Sequence, residues 1–103
     1  MHPPPDPSAS PAPDQWLFVI VMDPENNPQI AGQHDETANV SYIPAYVSRE
    51  DAQQGLLHLT LNKSARHEVQ AFLFEDLCQH AQTGGFLIYM IDADGKIRNE
   101  ITP

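Results

Sequence analysis

Trp16-Leu-Phe-Val-Ile-Val-Met22 is seven apolar residues without a break, five of them β-branched or aromatic. A run this short, with no helix cap ahead of it, reads as a central strand buried on both faces. Asp23-Pro-Glu-Asn-Asn-Pro28 stops it, with turn formers at nearly every place. A second continuous apolar run, Phe86-Leu-Ile-Tyr-Met-Ile91, reads the same way. These two strands set the frame, and the rest of the chain is placed around them.

Residues 29–33 suit a short second strand, and residues 34–39 a polar loop. Residues 40–47 alternate as a third strand: Ile43, Ala45 and Val47 point one way, Tyr42, Pro44 and Tyr46 the other. Pro44 has no N–H to give, which predicts an edge strand or a bulge. Ser48 then opens a helix as an N-cap, and Ala52, Leu56 and Leu59 follow at helical spacing. Gly55 weakens that helix by about 1 kcal/mol relative to alanine. Residues 67–73 alternate again, with Val69, Ala71 and Leu73 on one face. A second helix starts near Phe74, with Leu77, Cys78 and Ala81 on its apolar stripe and Gly84 placed to end it. Asp92-Ala-Asp-Gly95 turns the chain into a last strand over residues 96–102.

The predicted order is β-β-β-α-β-α-β-β. Two helices are too few to cover both faces of a sheet of five to six strands. The expected class is therefore α+β, a two-layer sandwich with a mixed or antiparallel sheet and both helices mostly on one face.

The chain has 103 residues, enough for one domain. Six of its ten prolines fall in residues 1–14, mixed with Ser, Ala and Asp. That composition predicts a disordered Pro-rich tail, with a single domain over residues 15–103. Pro4 and Pro7 have PxxP spacing, but no Arg or Lys stands beside them to support a docking motif. The start of the chain lacks the basic residues and apolar run of a signal peptide, and no apolar stretch reaches the roughly 20 residues of a spanning helix. With Cys78 as the one cysteine, a cytoplasmic location is the expectation. Fourteen acids against 5 bases give a formal charge of -9. Such a balance excludes a phosphate-binding surface, so no nucleic acid and no anionic membrane is expected as a partner.

Ten of the acids come in close pairs: Asp23/Glu25, Asp35/Glu36, Glu50/Asp51, Glu75/Asp76 and Asp92/Asp94. Each pair falls at an element boundary, where carboxylates cap turns or meet the positive end of a helix dipole. Asp92-Ala-Asp-Gly95 resembles the start of a calcium loop, but Lys96 and Ile97 stand where an oxygen ligand and glycine belong. Cys78 and His80 are two residues apart on a helix and so point to different sides. Gly84-Gly85 precedes a strand instead of opening a helix, unlike a phosphate loop. His34-Asp35-Glu36 is the densest polar cluster, and it carries the alternative reading: a metal-dependent or acid–base enzyme built there beside His58, His67 or His80. No second His at i+4 supports a zinc motif. No cofactor is called for.

The second sheet face offers a different candidate. Tyr42, Pro44, Tyr46 and Phe72, with Phe74, are expected to project opposite to Val69 and Leu73. If the helices cover the other face, this aromatic surface lacks an internal cover and marks a protein partner or a homodimer contact. If they cover this one, it is core. Alternation alone does not decide.

Ile43-Pro-Ala-Tyr-Val-Ser-Arg-Glu-Asp-Ala52 resembles the strand-to-helix passage of the SseB-like domain, and the order of elements over residues 16–95 fits it. Ile91 to Gly95 departs from that family's Asn-Pro turn. The resemblance implies a small, non-enzymatic bacterial accessory protein. The functional expectation is a small acidic cytoplasmic protein-binding or regulatory module without catalytic activity, its partner either a basic protein or a second copy.

Overall fold

The computed structural model describes residues 6–59 and 65–103. The elements are β1 (Trp16–Met22), β2 (Gln29–Ile30), β3 (Gln33–Asp35), β4 (Val40–Ala45), α1 (Arg49–Gly55) with a 3-10 turn at Leu56–His58, β5 (His67–Leu73), α2 (Phe74–Gly84), β6 (Leu87–Ile91) and β7 (Ile97–Ile101). The class is α+β, with two α-helices and two sheets among the described residues. One sheet runs β2-β1-β5, the other β3-β4-β6-β7. Every pairing is antiparallel except β4 with β6.

Both apolar runs take the central places the sequence predicts. β1 lies between β2 and β5, and β6 between β4 and β7. The single sheet of five to six strands is corrected to sheets of three and four strands. They meet where Phe18 and Tyr46 exchange two backbone hydrogen bonds of 2.9 Å each. The N-terminal half of β1 faces Tyr46, and its C-terminal half pairs with β2. The segment over residues 29–35 therefore starts on β1 and, after Ala31 and Gly32, continues on β4.

The predicted polar loop over residues 34–39 is shorter than expected, because His34 and Asp35 pair with β4. Their side chains carry no apolar alternation, and backbone bonds alone make them a strand. Asn39 closes this hairpin at φ 55°, a left-handed position Asn tolerates. Pro44 is not on an edge strand, since β4 has neighbours on both sides. Backbone groups alternate sides along a strand. Pro44 faces the side Tyr46 faces, in the gap between the Gln33–Tyr42 and Phe18–Tyr46 pairings, so its missing N–H breaks no ladder bond.

The helices lie on opposite faces, which corrects the two-layer expectation. Leu17, Val19 and Val21 of β1 pack with Ile43, Ala45, Ile88 and Met90 against Leu77 and Ala81 of α2. Ile20, on the other face, packs with Tyr46, Val69, Tyr89 and Ile91 against Ala52 of α1. Both faces of β1 are buried, as its unbroken apolar run demands.

Local signals hold at the helix ends. Ser48 Oγ accepts from the Asp51 N–H at 3.1 Å. α2 ends on Gly85 at φ 75°, one residue past the Gly84 expected there. At the other end of α2 no side chain caps the helix. The Phe74 N–H instead donates to the Gln15 carbonyl at 2.9 Å and the Glu75 N–H to Pro13 at 3.1 Å. Pro11 is buried. The described end of the proline-rich segment thus supplies acceptors for two orphan helix donors. The part of the tail expectation that concerns residues 1–5 lies outside the described residues.

Gly55 explains itself in the fold. A Cβ there would overlap the Tyr46 phenol, which lies fully buried beneath α1. The Tyr46 hydroxyl has no hydrogen-bond partner among the described residues. Helix propensity alone makes Gly55→Ala stabilising by about 1 kcal/mol; overlap with Tyr46 reverses the sign to a loss of about 1–3 kcal/mol. Tyr46→Phe, which removes an unsatisfied hydroxyl, is expected to be neutral or stabilising. The two are expected to couple positively in a double-mutant cycle by urea denaturation, and additive effects would contradict the overlap. Deleting residues 1–14, which removes the Pro13 acceptor and leaves that of Gln15, is expected to speed hydrogen exchange at the Glu75 amide and to cost about 1 kcal/mol; unchanged exchange there would show the Pro13 bond to be idle.

Candidate functional site

The candidate aromatic face does not form one surface. Tyr46 and Pro44 are fully buried. Tyr42 is half-buried and stacks on Tyr89, ring centroids 4.2 Å apart and planes 14° from parallel. Phe72 belongs to the opposite face, packed with the α2 cluster. The reason is register: Phe72 sits opposite Leu17, and Val69 opposite Ile20, so Val69 shares the tyrosine face and Phe72 does not.

Of His34, Asp35 and Glu36, Asp35 is the one whose side chain is held by hydrogen bonds within the fold. Asp35 Oδ1 accepts from the Thr37 and Ala38 N–H groups at 3.0 and 3.2 Å, and its Oδ2 from the Tyr89 hydroxyl at 3.0 Å. The Ala38 N–H, then the Tyr89 hydroxyl and the Thr37 N–H, hold the Asp35 carboxyl below the usual carboxylate range. His34 and Glu36 are exposed. His58 packs against Gly95, where a Cβ would come within 2.9 Å of its ring, and His67 Nε2 is buried without a partner among the described residues. His80 stands edge-on to Phe72, centroids 5.6 Å apart. No group of three or more His, Cys, Asp or Glu side chains that could hold a metal occurs among the described residues. Cys78 is half-buried, and burial pushes its thiol up, away from the thiolate a nucleophile needs.

Of the paired acids, Asp35 and Asp92 accept from N–H groups of their own turns. Asp92 Oδ1 accepts from the Asp94 and Lys96 N–H groups, each at 3.0 Å, and Gly95 turns the β6–β7 hairpin at φ 85°. Glu50/Asp51 and Glu75/Asp76 occupy the first turns of α1 and α2.

What the structure does form is an open groove of about 920 Å³ beside α2. Its floor is apolar: Val21, Ile30, Ile43 and Phe72. Its rim carries amide and hydroxyl groups, from Gln29, Gln70, Gln79 and Thr83. Phe86 walls one end. Its ring is held between two glycines of different elements: a Cβ on Gly32 would lie 2.7 Å from it, and one on Gly84 2.6 Å. Sequence reasoning placed Phe72 on a candidate binding surface but did not assemble the other residues of this groove. A signal existed in the widths: one helix, about 10 Å across, covers about two strands at about 4.8 Å spacing. An α2 alone on its face must leave strands open.

No protein-family model, no curated protein and no solved structure matches the chain. Among the described residues no helix is long and apolar enough to cross a membrane.

The Tyr89–Asp35 bond makes a measurable prediction. Burial, and secondarily the Asp35 carboxylate, push the Tyr89 phenol up to about 12; burial does the same to Tyr46. A raised folded pKa means the stabilisation is whole below the unfolded value of about 10 and is lost as pH climbs through about 12. Phenolate absorbance is therefore expected to lag behind that of free tyrosine, with stability falling between about pH 10 and 12. Asp35→Asn is expected to bring one phenol back toward its ordinary value; an unchanged titration would contradict the bond.

Proposed function

We propose that the chain is a small acidic protein-binding module without catalytic chemistry of its own, and that the groove beside α2 receives an extended apolar segment of a basic partner protein. The observation that carries this reading is the groove itself: an apolar floor with a hydrogen-bonding rim of amides, the Thr83 hydroxyl and the His80 imidazole, left open because α2 covers only part of its face. Rim amides from Gln29, Gln70 and Gln79 suit the peptide groups of an extended chain, each offering a donor and an acceptor.

Charge supports the sign of the partner. Arg49 is bound to the Val69 carbonyl, Arg66 to Glu25 and Arg98 to Asp92. Among the described residues, Glu25 and Asp92 are the acids in these ion pairs, so most acids of a chain of net charge -9 have no cation partner there. A basic partner gains from this field mainly in encounter rate and specificity. The SseB-like resemblance of residues 43–52, which implies an accessory role, agrees in kind.

The test is an amide-shift titration with two short peptides, one alternating Leu and Lys, the other Leu and Glu. The Leu/Lys peptide is expected to move the amides of Ile30, Gln70, Thr83 and Phe86, to weaken between about 50 and 500 mM salt, and to bind about tenfold more tightly than its acidic twin. Thr83→Trp, a rim substitution at an exposed position, is expected to fill the mouth and abolish those shifts. Equal binding of both peptides, or shifts confined to other surfaces, would overturn the reading.

A further inference from the structure

On the face opposite the groove, the molecule displays a seat for an arginine and leaves a second one open. The Arg49 guanidinium lies over the Phe18 ring, 5.4 Å from its centroid, and donates to the Val69 carbonyl at 2.9 Å. That carbonyl belongs to the outer edge of β5, along which no described strand pairs. Phe18 and Ile20 turn their backbone groups away from β5, toward Tyr46 and Ala31. Leu17, Val19 and Val21 therefore bond β5 through Phe72, Gln70 and Glu68, and the odd-numbered residues of β5 present their N–H and C=O groups outward.

An antiparallel pair repeats every two residues, about 7 Å along the strand. A shift by one repeat carries Phe18 onto Trp16 and Val69 onto Ala71, since Phe18 sits opposite Ala71 and Trp16 opposite Leu73. The first position is filled by Arg49. The second is open: Trp16 is 56% exposed and Ala71 is exposed. Tryptophan is the strongest aromatic face for a cation. Asp14 lies two residues before Trp16, and Glu75 is tied alongside by its N–H bond to Pro13. Neither carboxylate pairs with a cation among the described residues.

We propose that Trp16 and the outward Ala71 carbonyl form a docking seat for an arginine side chain of a basic partner protein. Arginine is favoured over lysine because its several fixed N–H donors let one side chain lie over a ring and bond a carbonyl at once, as Arg49 does next door. The seat does not depend on the groove, which lies on the other face and is read through other residues.

Trp16 is the one tryptophan, so its fluorescence reports on the seat directly. The probe is a capped Gly-Arg-Gly-Arg-Gly peptide at low salt, against its lysine analogue. A saturable change in Trp16 emission is expected, with shifts at the Ala71 and Leu73 amides and several-fold weaker binding of the lysine peptide. Asp14→Asn with Glu75→Gln, both at exposed positions, is expected to weaken binding about threefold. In Trp16→Leu the amide shifts at Ala71 should vanish. A linear, non-saturating response, equal affinity for the lysine peptide, shifts confined to Ile30 and Phe86, or undiminished binding in either variant would overturn the seat.

Discussion

Phe18 and Tyr46 exchange two backbone hydrogen bonds, and the rest of the fold is arranged around that exchange. Each bond contributes about 1 kcal/mol net, so energy is not what makes the pair important. The constraint is geometric. It fixes β1 against the end of β4 at one point, and the two strands belong to different sheets from there on. The free half of the β1 edge is taken by β2, the free half of the β4 edge by β3. Pro44 falls in the gap between. The same contact sets the Tyr46 ring under α1, where Gly55 leaves room for it.

Placing the helices on opposite faces follows from which side of β1 each can reach, and it divides the exposed surface in two. On the α2 face, one helix covers part of two sheets and leaves a groove floored by Val21, Ile30, Ile43 and Phe72. On the α1 face, a helix of seven residues covers Ile20 and Val69 but stops short of Trp16. Both openings are products of coverage, and both sit on a chain whose arginines are already engaged. A partner with apolar and cationic side chains meets complementary surface on either face.

Much of the fold was legible because it rests on local chemistry. The unbroken run at residues 16–22 announced a strand buried on both faces, and its neighbours in space bear that out. Ser48 marks its cap and Gly95 its turn by local chemistry that no tertiary contact needs to supply, while the cap of α2 falls on Gly85, next to the Gly84 expected. β3 was not legible. Gln33, His34 and Asp35 carry no apolar alternation, and only the open edge of β4 makes them a strand. The aromatic candidate failed for a related reason: Phe72 and Tyr46 have the right chemistry but lie on opposite faces, and the parity between two strands is set by register.

The sequence by itself determined the class, the two central strands, the caps and the acidic surface, because periodicity, turn preference and charge are properties of short segments. The tertiary structure decided which face each helix covers, that Asp35 answers the Tyr89 hydroxyl, and where apolar surface stays open. These depend on contacts between residues far apart in the chain, such as Phe86 held between Gly32 and Gly84. No short window contains both sides of such a contact, so only the folded chain could settle it.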